Sequence, residues 1–420
     1  MIIGRLVSLF CQRLAATAAS VWVLSIASMT ALADALPDST WLALPALPHQ
    51  GSNAIFALAV DPSNNQVLLA GNSQGSLLKS ANGGVTWSVM HVGKSAPTTI
   101  AYSPYTAGLV LAGTRGGGGL VSRDGGATWS PAGGLEGRTV HVFAFSLTIL
   151  AVGTDRGVYT SNDGFTWSQT TLSNRSIVAL AVEAIHAPVR LIAGSDTQTP
   201  GSLPLYQSTD GGASWTTLTP PLSGTIVVKL AAGPLPSTGI VRPLVLGTNT
   251  GLFLSNDNGS TFNPLSGGSL LPTTDYTQVS FITDHSDRFY TASDGGGSRS
   301  GGLWRTDDGG QTFRSLQPPQ PSITALAVSN DEDPVLYVAS FLPSNHAATL
   351  WAYHDAGGVP QGPPSTQSPV ASGARTSPSG STSALAQVLS APQAPYVGLG
   401  LGALIVVLAA VVSHLRGRYR

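Results

Sequence analysis

The chain has 420 residues, with 20 Lys+Arg against 21 Asp+Glu and a formal net charge of −1. So even a balance excludes the basic face that nucleic-acid phosphates demand. Charged residues are only 10% of the chain while Gly (49) and Pro (29) are abundant, a profile of a turn-rich all-β protein rather than a helical enzyme. The single cysteine, Cys11, excludes an internal disulfide framework and a Cys-based zinc site.

In chain order, residues 1–33 come first. Arg5 and Arg13 precede the apolar run "LAATAASVWVLSIASMTALA", which ends on the small-x-small site Ala31-Leu32-Ala33. This is the plan of a secretory signal peptide. The alternative is a retained N-terminal anchor, since the run is long for a signal. Cleavage after Ala33 would also remove Cys11.

A repeated phrase then dominates the chain. "SANGGVTW" at 80 is followed by "SRDGGATW" at 122, "SNDGFTW" at 161, "STDGGASW" at 208, "SNDNGSTF" at 255 and "TDDGGQTF" at 306. The third residues are Asn82, Asp124, Asp163, Asp210, Asp257 and Asp308; the copy at 161 is one residue short. A degraded seventh copy, "YHDAGG", places Asp355 at similar spacing. Each phrase has a matching prelude. One apolar strand ("IFALAV", "VHVFAF", "ITALAV") leads to a second that usually ends in Gly ("VLLAG", "LAVG", "PLVLG"), although the sixth and seventh end in Ser ("FYTAS", "LYVAS"). A third strand, the phrase, and a fourth strand opening on Trp or Phe complete the unit. Four short strands repeated seven times predict a seven-bladed β-propeller of four-stranded antiparallel blades over residues 34–358.

The ends of the array predict closure. The seventh phrase stops at "GGVPQG" without a Thr-Trp strand, and an orphan Thr40-Trp41 precedes the first repeat. An N-terminal strand completing the last blade leaves no open edge.

Residues 359–395 are rich in Pro, Ser, Thr and Gly and carry no apolar period, so they are expected to form a disordered stalk. The uncharged run from Tyr396 to Val412 nearly spans a bilayer core and predicts a transmembrane helix over 396–413. Arg416, Arg418 and Arg420 in the tail, 414–420, are expected to stay cytoplasmic, which puts the repeats outside the cell.

The phrases resemble the Asp-box, or BNR, repeat of sialidase-like propellers over residues 40–358. That resemblance implies a hairpin turn between the third and fourth strands of each blade. In such a turn the Asp accepts backbone N–H groups. The aromatics Trp87, Trp129, Trp167, Trp215, Phe262 and Phe313 then bury their rings against the blade. No copy has the alternating carboxylates and terminal Glu of a calcium loop, so the phrase reads as structural.

Strand order puts the phrase turns and the loops between first and second strands on one rim. Loops between second and third strands, and those linking blades, lie on the other. The resemblance implies a pocket on that second rim. There the ligand candidates are Arg115, Asp155, Arg156, Asp196, Asp294 and Arg299, with Glu136, Arg138, Arg175 and Asp275 from the connections.

A sialidase needs three substrate arginines, a Tyr–Glu nucleophile and an acid/base Asp. No Arg falls between Arg13 and Arg115, and of Glu136, Glu183 and Glu332 only Glu136 sits on the second rim. Eight histidines show no pairing at metal-ligand spacing. No catalytic residue, metal or cofactor is therefore assigned. The repeat style is also similar to the photosystem II assembly and stability factor propellers, which implies a protein-binding scaffold. The expected function is a membrane-anchored, non-catalytic module for a protein or glycan partner, not nucleic acid. The alternative is a glycoside hydrolase, sialidase-like or using two rim aspartates.

Overall fold

In the computed structural model the described residues are 36–360, apart from 51–53, 185–187, 197–202, 221, 223–225, 238–240, 296–300, 343 and 345–346. The chain divides into two units, 1–365 and 366–420, and the second lies wholly outside the described residues. So do the expected signal segment, transmembrane helix and basic tail, and all of the stalk beyond its first two residues. Among the described residues every regular element is a strand, and no helix is long and apolar enough to cross a membrane.

The strands pair into seven four-stranded antiparallel sheets. Blades 1 to 6 cover residues 58–92, 97–132, 140–173, 177–218, 227–265 and 278–315. Blade 7 covers 323–354 and takes its fourth strand from Trp41–Ala43, with Trp41 opposite Tyr353 and Ala43 opposite Trp351. The ring is thus closed by the N-terminal strand, as the orphan Thr-Trp predicts.

Burial explains the run of residue types. Second strands such as Val110–Thr114, Leu150–Thr154 and Leu244–Thr248 are buried at every position, because neighbouring blades cover both faces. Fourth strands form the outer edge, and several are short and largely exposed, as at Thr216–Leu218, which blunts that edge. The hydrophobic core is accordingly distributed. Seven clusters each straddle one pair of adjacent blades, the last joining blade 7 to blade 1.

The glycine that ends most second strands has a steric cause. A Cβ on Gly113 would meet Cβ of Val140, the first residue of the next blade, at 2.7 Å. In blades 6 and 7 this register is held by Ala292 and Ala339, paired to Gln278 and Ala325 as Gly113 is to Thr99. Ser293 and Ser340 stand one residue on, matching Thr114 and Thr154. They replace a threonine there, not the glycine, which corrects the strand endings taken from the sequence.

In each phrase the opening hydroxyl is the hub. Ser122 Oγ donates to Asp124 Oδ1 at 2.7 Å and accepts the Gly126 N–H at 2.8 Å. Asp124 also accepts the Thr128 N–H at 2.8 Å and the Thr128 hydroxyl at 2.6 Å. Asp210, Asp257 and Asp308 repeat this pattern with Ser214, Thr261 and Thr312. The shortened copy uses the N–H groups of Phe165 and Thr166 on Asp163. Asn82 keeps the acceptor role and donates its amide to Thr86 Oγ at 2.9 Å.

The aromatics differ more than the sequence suggests. Trp167, Phe262 and Phe313 are buried, whereas Trp87, Trp129 and Trp215 are only half-buried. The indoles of Trp129, Trp167 and Trp215 donate to the carbonyls of Gly126, Gly164 and Gly212.

In the seventh copy Tyr353 stands at the hub position, opposite Leu336 as Ser161 is opposite Leu150. Without the hydroxyl, Asp355 turns inward and becomes fully buried. It lies 2.9 Å from Arg305 and 3.6 Å from Arg314 of blade 6, and accepts the Tyr290 hydroxyl at 2.7 Å. Burial raises the Tyr290 pKa, and the Asp355 charge raises it further.

Candidate functional site at the two mouths of the channel

The first strands of the blades surround the axis and end in loops at two mouths. At the mouth opposite the phrase turns, Arg115, Arg156 and Asp196 are exposed, and Asp155 and Asp294 are half-buried. Arg299 lies outside the described residues.

Three of these candidates act on one group that the sequence did not single out, His141 on the first strand of blade 3. Burial lowers its pKa; Asp196 and Asp155 oppose that shift, and Arg115 adds to it. The signal was a lone titratable residue inside the apolar strand "VHVFAF". Arg115, Asp155 and Asp196 from blades 2, 3 and 4 therefore share a field around one imidazole. Asp294 follows the second strand of blade 6 and is not among the charges that act on His141.

Most carboxylates at this mouth brace their own loops. Asp155 accepts the Thr139 N–H at 3.1 Å while its own N–H donates to the Thr139 carbonyl at 3.0 Å. Asp275 accepts the hydroxyls of Ser293 at 3.1 Å and Thr274 at 3.3 Å. Glu136 accepts the Gly134 N–H at 2.9 Å, and backbone hydrogen bonds lower its pKa. A general acid needs the opposite shift. The Arg175 guanidinium stacks 5.1 Å from the centre of the Tyr206 ring. Among the described residues no group of three His, Cys, Asp or Glu side chains could hold a metal ion.

On the phrase side, which the sequence reading passed over, an open cavity of about 790 Å³ lies at the axis between blades 3 and 6. Phe145, Phe281 and Leu235 line it together with Glu183, Lys229 and Arg242. Glu183 is buried and pairs with Arg190 at 3.2 Å; burial raises its pKa, and the charges of Arg190 and Arg242 counter the rise. Arg242 donates from Nε to the Gly233 carbonyl at 2.6 Å and from a terminal nitrogen to the Val182 carbonyl at 3.0 Å. Lys229 comes from "IVVKLAAG", where a charge interrupts an otherwise apolar first strand.

No protein-family profile and no curated protein matches the chain. Solved structures do. YCF48 from Cyanidioschyzon merolae is 16% identical with a TM-score of 0.52, covering 75% of this chain and 98% of that one. A structure of YCF48 bound to D1 peptide gives 16%, 0.53, 78% and 97%. An ancestral GH74 enzyme gives 16% identity and 0.54, covering 75% of this chain and 48% of that one. At such identities the likeness is one of fold, and what these neighbours share with the chain is the β-propeller.

Proposed function

We propose that the protein is a membrane-anchored, extracytoplasmic β-propeller that binds a protein or glycan partner through the rim opposite its phrase turns and does not act as a catalyst. The observation that carries this reading is the use of the rim carboxylates. Asp155, Asp275 and Glu136 each hold hydroxyl or N–H groups of their own loops or blades. A hydrolytic pair needs two carboxyl groups about 5–9.5 Å apart across a substrate. Fold neighbours support a binding role, since one of them is seen with a bound peptide. The resemblance of the phrases to Asp-box repeats, the N-terminal signal and the C-terminal apolar run make up the rest of the proposal.

The test has two arms. The protein is screened for turnover of sialosides and common polysaccharides, and cells bearing it are treated with protease to ask which side of the membrane the blades occupy. No turnover, with the blades cleaved on intact cells, is the expected result. Turnover lost in Asp155→Asn or Asp294→Asn would overturn the non-catalytic reading in favour of the glycoside hydrolase that the GH74 neighbour suggests.

A further inference from the structure

Lys229 is the unusual charge in this ring. Its partner on the second strand is Gly247, and the equivalent first-strand positions in the other blades are read from the same pairing. They are Thr99, Val142, Ala179, Gln278 and Ala325, with Ala57 carrying the matching hydrogen bond to Gly71 in blade 1. Six of seven blades thus place an uncharged residue at this height, and blade 5 alone places an ammonium.

Nothing in the described protein answers that charge. Glu183 is taken by Arg190, and Asp284 is exposed at the mouth. Lys229 makes no ion pair or hydrogen bond among the described residues. It is half-buried at the cavity wall, and burial lowers its pKa with no carboxylate opposing the shift. A half-buried ammonium without a partner is costly to keep. Yet the side chain borders water-sized space, because it lines the 790 Å³ cavity. Phe145 and Phe281 share that cavity, and Tyr105 and Leu235 expose apolar surface at its mouth. The volume falls in the range of about 300–1,000 Å³ that small-molecule sites occupy, with apolar walls and few polar groups.

We propose that the phrase-side mouth of the channel is a binding site for a small apolar carboxylate, whose anionic end meets Lys229 and whose hydrocarbon part lies against Phe281 and Phe145. The site is distinct from the partner-binding rim proposed above, and either reading can fail without the other. Arg242, at the cavity wall, is oriented by the two donors that hold the Val182 and Gly233 carbonyls. It adds positive potential at the cavity wall.

The test is calorimetric titration of the protein with 3-phenylpropionate, its neutral amide and the corresponding amine. The acid is expected to bind at least tenfold more tightly than the amide, and the amine not at all. Lys229→Met is expected to abolish the preference for acid over amide while leaving the protein at least as heat-stable as wild type, because it removes an unpaired, half-buried charge. Phe281→Leu is expected to weaken acid and amide by the same factor. Equal binding of acid and amide to the wild type, no binding of either, or an acid preference that survives Lys229→Met would each overturn the proposal.

Discussion

Replacing Asp355 by Ala tests whether the blade 6–7 interface depends on a buried charge. The carboxylate is fully buried, 2.9 Å from Arg305, and accepts the Tyr290 hydroxyl at 2.7 Å. Removing it takes one of two carboxylate partners from Arg305, which is itself buried, and leaves the Tyr290 hydroxyl without its acceptor. Losing one partner of a buried ion pair costs about 3–5 kcal/mol. Arg305 keeps a second carboxylate, Asp307, at 2.7 Å, so the lower end of that range applies. Burial alone would lower the Arg305 pKa, but hydrogen bonds to Asp307 and the charge of Asp355 outweigh it and raise the pKa, so both carboxylates act on the guanidinium. For a propeller of this size, unfolding entropy translates about 3 kcal/mol into a fall in Tm of roughly 5 °C. Thermal unfolding of Asp355→Ala, Arg305→Met and the double variant measures it. The expected coupling is about 1–3 kcal/mol, with the double variant less destabilised than the sum of the singles. Additivity within about 0.5 kcal/mol, or a single-variant loss no larger than a surface substitution, would refute the reasoning.

Two further outcomes are expected. Trp41 is fully buried, stacks 4.7 Å from the Tyr353 ring and donates its indole N–H to the Leu316 carbonyl at 2.8 Å. Trp41→Ala should therefore cost about 3–5 kcal/mol in denaturant unfolding, and hydrogen exchange should rise first in the strand Ala347–His354 that Trp41 covers. The Asp210 pKa is lowered to about 2 by hydrogen bonds from the Ser214 hydroxyl, the Ser214 N–H and Ser208. A depressed folded pKa contributes stability above the unfolded value near 4 that is lost as pH falls through about 2. Acid unfolding followed by tryptophan fluorescence should accordingly be shallower between pH 4 and 2 in Asp210→Asn, and an unchanged slope would count against the turn as an acid-sensitive brace.

The propeller and its latch were legible because they rest on local, repeated information. Turn chemistry recurs at near-constant spacing, and each apolar run of Val, Leu and Ala marks a strand whose both faces must be covered. The unfinished seventh phrase and the orphan Thr40-Trp41 pointed to closure for the same reason: a strand lacking its partner is visible in one dimension. What the phrase does internally was half legible. The Asp acceptor follows from residue type, but the Ser122 hydroxyl as hub depends on backbone bringing two turns of hydrogen bonds to one oxygen.

Tertiary structure alone decided the rest. Whether the seventh Asp stays in its turn or enters an interface depended on Tyr353 replacing the hub hydroxyl and on Arg305, far away in the chain, being delivered beside it. The grouping of Arg115, Asp155 and Asp196 around His141 needed three blades placed side by side. The cavity around Lys229 likewise exists only where four first strands converge on the axis. Sequence dictates which side chains each blade offers, because turns and strands are built from neighbours along the chain. Packing of blade against blade decides which offers meet, since residues from different blades become neighbours only when the sheets stack face to face around the axis.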